Sequence, residues 1–173
     1  LSDIADAVGT RMSTFFEEPI PALVQHRSSQ GLDTADSQVD ALLAKLATEV
    51  EFVASLTTVD LFGAIPSEDF AVPSTSAEVE ALATRARALL SIPPNEPILR
   101  LTDSVASLGL LAFSIDIGKD TADAGTIVLR RGGISLVNSH MKVGRRRLAL
   151  AHELGHYLIG DAYTVDWRVD DHS

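Results

Sequence analysis

The chain contains no cysteine. That excludes disulfides and any thiolate zinc site, and it fits a reducing, cytoplasmic compartment. No apolar run approaches the roughly eighteen residues that a membrane span needs, so no membrane partner is expected. The N-terminus has no basic stretch followed by an apolar one, so nothing there reads as a secretory signal. Internal repeats and low-complexity tracts are also missing. Positive charge is scarce and unevenly placed. Residues 1–96 hold fifteen acidic and five basic side chains, and residues 97–173 hold nine of each. The net charge of −10 makes non-specific binding to nucleic acid unfavourable. What remains is a 173-residue chain with 46% hydrophobic and 22% charged residues, enough to build one globular domain or two small ones.

Along the chain, Leu1–Val8 and Ser13–Phe16 read as short helical pieces broken at Gly9-Thr10, with Pro19 and Pro21 marking a boundary. Gln25–Asp36 is polar and loop-like, and no role follows for its His26. Val39, Leu42, Leu43, Leu46, Val50 and Val53 fall at helical spacing and predict a helix over Ser37–Leu56. Thr57–Ser76 holds Gly63, Pro66 and Pro73 and reads as a loop. A second helix opens at Ser76-Ala77-Glu78 and stops near Leu90, before Pro93-Pro94. Ile98–Leu108 predicts a helix and Leu110–Ile115 a strand. Gly118–Ala124 reads as a polar loop. Thr126–Leu129 and Ile134–Val137 read as two more strands, joined in hairpin fashion at Arg131-Gly132-Gly133. The expected fold class is α+β: a mostly helical N-terminal part, then a helix, a three-stranded sheet and a final helix.

That final helix carries the chemistry. Within Arg145–Gly160 stands His152-Glu153-Leu154-Gly155-His156, an H-E-x-x-H sequence. Helical residues four apart lie about 40° apart around the axis, so both imidazoles leave one face, one turn apart. Two ligands so spaced can share one Zn²⁺ at about 2.0–2.1 Å. Glu153 lies about 100° round from His152, beside such a metal, where it can act as general base on an attacking water and hand the proton to a leaving amine. Leu150, Leu154 and Leu158 fall on the opposite face, ready for a core. Gly155 costs helix stability, which points to a close neighbour that requires it, and Gly160 is placed to end the helix. The bland alternative is two ordinary helix histidines with a solvated glutamate between them.

Other residues leave choices open. Arg130, Arg131, Lys142, Arg145, Arg146 and Arg147 form either a solvated basic rim or a docking patch for an acidic protein segment. His140 is either a solvated loop histidine or a substrate contact. Tyr157, about 140° round from His152, reads as packing. Tyr163 and Trp167 are expected to cover the C-terminal end of the motif helix.

Ile134-Ser135-Leu136-Val137-Asn138-Ser139, a short basic spacer, and then Arg145-Arg146-Arg147-Leu148-Ala149-Leu150-Ala151-His152-Glu153-Leu154-Gly155-His156-Tyr157-Leu158 resemble the ImmA/IrrE family of zinc metallopeptidases. The likeness covers residues 97–161, with a looser reach back to Ala77. It implies a minimal zincin core over residues 94–173, with a helical segment over 20–93. It also implies zinc held by His152 and His156, with Glu153 catalytic. The implied activity is cleavage of a protein partner, a helix-turn-helix transcriptional repressor, in stress response or mobile-element control.

The family's third ligand is a glutamate on a later helix, which would fall past Ser173. Within the chain the substitutes are Asp161, Asp166, Asp170, Asp171 and His172. With two sure ligands, zinc is expected to be weakly held or absent here. Residues 1–19, with Ile4-Ala5-Asp6-Ala7-Val8-Gly9 and Phe15-Phe16, resemble the tail of a Cro/CI-type (XRE) helix-turn-helix domain, so DNA contact is expected only through residues upstream of Leu1. The alternative function is therefore an XRE-type regulator whose zincin-like module senses a ligand or partner without proteolysis.

Overall fold

The computed structural model describes residues 2–7, 9, 12, 19–22, 38–56, 60–68, 70–119, 121–161 and 163–167, of which Gln38 and 163–167 through the backbone. The elements are α1 (Ser2–Ala7), α2 (Gln38–Ala54), α3 (Ser76–Leu89), α4 (Leu101–Ser107), β1 (Leu110–Ile115), β2 (Ala122–Val128), β3 (Gly133–Asn138), α5 (Val143–Ile159) and β4 (Tyr163–Trp167). The fold class is α+β. Among the described residues, no helix is long and apolar enough to cross a membrane.

The four strands form one mixed sheet in the order β1-β3-β2-β4. β3 runs parallel to β1, with Leu110 opposite Gly133, and antiparallel to β2, with Ile127 opposite Ile134. All six residues of β3 are buried, as befits a central strand. Side chains alternate across it. Ile134 and Leu136, with Ile127 of β2, point to one face, where Val39, Leu43, Ala47 and Val50 of α2 cover them. Val137, with Ala124 of β2, points to the other, against Leu150, Leu154, Tyr157 and Leu158 of α5 and Leu101 and Val105 of α4. The sheet is thus sandwiched between α2 and the α4–α5 pair.

The sequence expectations for α2, α3, α4, β1, β3 and α5 match these elements to within a few residues. α3 opens on a capping box. The Thr75 hydroxyl accepts from the Glu78 amide, and the Glu78 carboxylate accepts from the amides of Thr75 and Ser74. These bonds, that to the Ser74 amide first, hold the Glu78 carboxyl below its usual pKa.

Two expectations need correction. The sheet has four strands rather than three. β2 begins at Ala122, inside the stretch read as a polar loop, because pairing to β3 and β4 on both sides overrides the weak strand propensity of Ala-Asp-Ala-Gly. Tyr163 and Trp167 belong to β4, paired along β2. The expected helix at Ser13–Phe16 and the loop with His26 lie outside the described residues.

Tyr157 and three glycines lock the end of the hairpin to α5. Gly109 and Gly132 both have positive φ, and a Cβ on Gly132 would meet the Gly109 carbonyl oxygen and the Phe62 ring at 2.4 Å. A Cβ on Gly133 would meet the Tyr157 ring at 2.9 Å. The Tyr157 hydroxyl donates to the Leu108 carbonyl at 2.9 Å. Burial pushes its pKa up to about 12.

Candidate metal centre

α5 presents His152 and His156 on one face, with their Nε2 atoms 3.0 Å apart and the rings edge to face. Two nitrogens on one tetrahedral zinc at about 2.0–2.1 Å lie about 3.3 Å apart, so this pair is already close to the spacing of two ligands on one ion. The helix end orients the second histidine. Gly160 adopts the left-handed conformation (φ 74°), and the Asp161 amide turns back to donate to the His156 carbonyl at 3.0 Å. The same turn carries the Asp161 carboxylate to 2.7 Å from His156 Nδ1. With the ring proton on Nδ1, facing that carboxylate, the lone pair of Nε2 is left for a metal.

Asp161, one of the candidate third ligands, here meets Nδ1, the nitrogen on the far side of the His156 ring from His152. Asp170, Asp171 and His172 lie outside the described residues, and of Asp166 only the strand position, opposite Ala124, is described. Among the described residues no three His, Asp or Glu side chains gather as a metal-binding group. The donor chemistry of His152 and His156 suits two ligands of one zinc ion, with no third donor grouped beside them among the described residues.

Glu153 takes the inward position. It is fully buried and is the one charged side chain in the described core. Ala149 shares a cleft wall with Ala124, and Tyr157 contacts Gly133, which brackets Glu153 between them at the level of the paired residues Thr126 and Ser135. By strand alternation both of those face α5, both are fully buried, and neither hydroxyl makes a hydrogen bond among the described residues. Nothing in the sequence pattern had singled out Thr126 and Ser135. The signal was there, since each places a hydroxyl on the core side of a strand whose neighbours on that face are apolar or small.

A cleft of about 480 Å³ opens beside His152, bounded by Asp123 and Ala124 of β2 and by Arg145, Leu148 and Ala149 of α5. Arg145 is clamped across it to the Asp123 carboxylate at 2.6–2.7 Å. The basic set is no single patch. Arg130 binds Glu51 and the Pro19 carbonyl beyond one end of β2, and Arg145 binds Asp123 at the other. Arg147 donates to the carbonyls of Ile98 and Leu99. His140 is exposed, 3.7 Å from the Asp116 carboxylate, and is not drawn to the histidine pair. Among the described residues Gly155 has no neighbour within 4 Å of where a Cβ would stand, so none of them supplies the expected close contact. No family model, curated protein or solved structure matches this chain.

Proposed function

We propose that this chain carries the core of a zinc-dependent endopeptidase acting on a protein partner, of the class of helix-turn-helix transcriptional repressors. The observation that carries this reading is the convergence of His152 and His156 Nε2 at 3.0 Å, with Asp161 fixing the second ring. Zinc, when bound, supplies a Lewis acid for a scissile carbonyl. His152 and His156 would hold it, and Asp161 keeps the His156 ring oriented and its Nε2 basic.

Glu153 follows His152 directly and serves as general base, taking a proton from water and later passing it to the leaving amine. Its enclosure between α5 and the sheet keeps bulk water away, which strengthens each charge interaction it makes. The cleft between Asp123-Ala124 and Arg145–His152 is the entry for substrate. Pairing of an extended substrate along β3 is excluded by its central position, and pairing along β2 requires β4 to leave.

The test is Glu153→Gln in the intact protein, co-expressed with a helix-turn-helix repressor. The amide keeps size and hydrogen bonding but cannot accept the proton. Cleavage should fall by at least about a hundredfold while zinc content stays unchanged. Cleavage at the parent rate would rule out the general-base role.

A further inference from the structure

Three consecutive arginines open α5, and they do three different things. Arg145 is ion-paired with Asp123, and Arg147 donates to two backbone carbonyls. Arg146 has a buried Nε that meets no acceptor among the described residues. A guanidinium is always charged and carries five donors, and in the half-buried Arg146 the buried Nε–H is a donor left unsatisfied among the described residues.

Arg146 borders a second cavity of about 300 Å³, on a different side of α5 from His152. Val143, Arg146, Arg147 and Leu150 share this face at helical spacing, while the metal-side cleft takes Arg145, Leu148, Ala149 and His152. The cavity's buried lining is apolar: Leu101 of α4, Val137 of β3 and Leu150 of α5. Val143, at its rim, is 62% exposed, unusual for a branched aliphatic side chain. Among the described residues that line the cavity none is acidic, so none of them answers the charge of Arg146.

Two cations line the cavity, and with Arg147 held on the Ile98 and Leu99 carbonyls, Arg146 is the one offered to a ligand. Apolar walls beside such a guanidinium are the arrangement that recognises an amphipathic anion: the walls take the chain and the guanidinium takes the head. Its volume, at the lower end for ligand pockets, suits a short chain and not a folded peptide. We propose that this cavity binds a small apolar monocarboxylate, with its chain against Leu101, Val137 and Leu150 and its carboxylate on Arg146. The site is separate from the histidine pair and does not depend on the zinc reading. Because both line α5, occupancy here bears on the helix that carries the metal motif.

The experiment is calorimetric titration of the whole chain with octanoate, 1-octanol and acetate. Octanoate should bind one to one and at least tenfold more tightly than 1-octanol, the margin of a charge-assisted hydrogen bond, and acetate should show no measurable binding. Arg146→Met should remove the preference for octanoate over octanol, whereas Lys142→Met, a nearby cation outside the cavity, should leave it. Ala112→Leu fills the chamber from β1 with Arg146 intact and should abolish octanoate binding, which keeps the test decisive if Arg146→Met does not fold. Equal affinity for octanoate and octanol, or unaltered octanoate binding in either folded cavity variant, would overturn the proposal.

Discussion

The two faces of the sheet are built differently. Against α2 the sheet shows Ile127, Ile134 and Leu136, met by Val39, Leu43, Ala47 and Val50, an all-apolar contact. The buried polar group at the end of β3, Asn138, is fully engaged: its side chain accepts from the His140 amide and donates to the Gly118 and Ala122 carbonyls. Against α5 the sheet shows Thr126 and Ser135, whose hydroxyls make no hydrogen bond among the described residues, and the helix adds the buried Glu153. One interface follows the ordinary rules of packing. The other departs from them where the histidine motif passes, and such departures are expected where chemistry competes with stability.

The sharpest way to break this comparison is to remove bulk from the α2 face. Leu136→Ala leaves a cavity in a fully buried layer and should cost about 2–5 kcal/mol in chemical denaturation, with metal affinity of the folded fraction unchanged. A parallel loss of metal affinity would show that the two faces are not separable.

Tyr157→Phe probes the α5 face away from the histidines. It should cost about 1 kcal/mol at neutral pH through the lost bond to Leu108. It should also remove a pH dependence. The folded pKa of about 12 stands above the ordinary value near 10, so the stability Tyr157 contributes is fully present below pH 10 and is lost as pH rises toward 12. The parent protein should therefore lose up to about 2 kcal/mol more than Tyr157→Phe over that window. Parallel stability curves for the two proteins would contradict this.

The glycines of α5 give the smallest effects, with opposite signs. Gly160→Ala forces a side chain into a left-handed turn and should cost about 1 kcal/mol, while loosening Asp161 from His156. Gly155→Ala meets open space and should add up to about 1 kcal/mol of helix stability. Thermal melts of both variants check the pair, and a destabilised Gly155→Ala would reveal a neighbour that the described residues do not include.

Much of this architecture was legible in the sequence because local pattern and tertiary packing agree. The apolar spacing of α2 and the Arg131-Gly132-Gly133 turn each announce their element. The Asp161–His156 contact was not legible, because it depends on the left-handed turn at Gly160 folding the chain back on His156, which spacing alone does not reveal. β4 was missed although Tyr163-Thr164-Val165-Asp166-Trp167 alternates apolar and polar residues as a strand should. Glu153's burial lay beyond reach as well, since a helical wheel gives angle and not depth.

Titration with Zn²⁺, followed by calorimetry in the parent protein and in His152→Ala, His156→Ala and Asp161→Asn, tests the central claim most directly. One ion per chain should bind, weakly for lack of a third described ligand. Either alanine variant should abolish binding, and Asp161→Asn should weaken it by about 10–100-fold through the freed imidazole. Zinc binding that is indifferent to both histidines would show that their convergence on α5 is packing and not a metal centre.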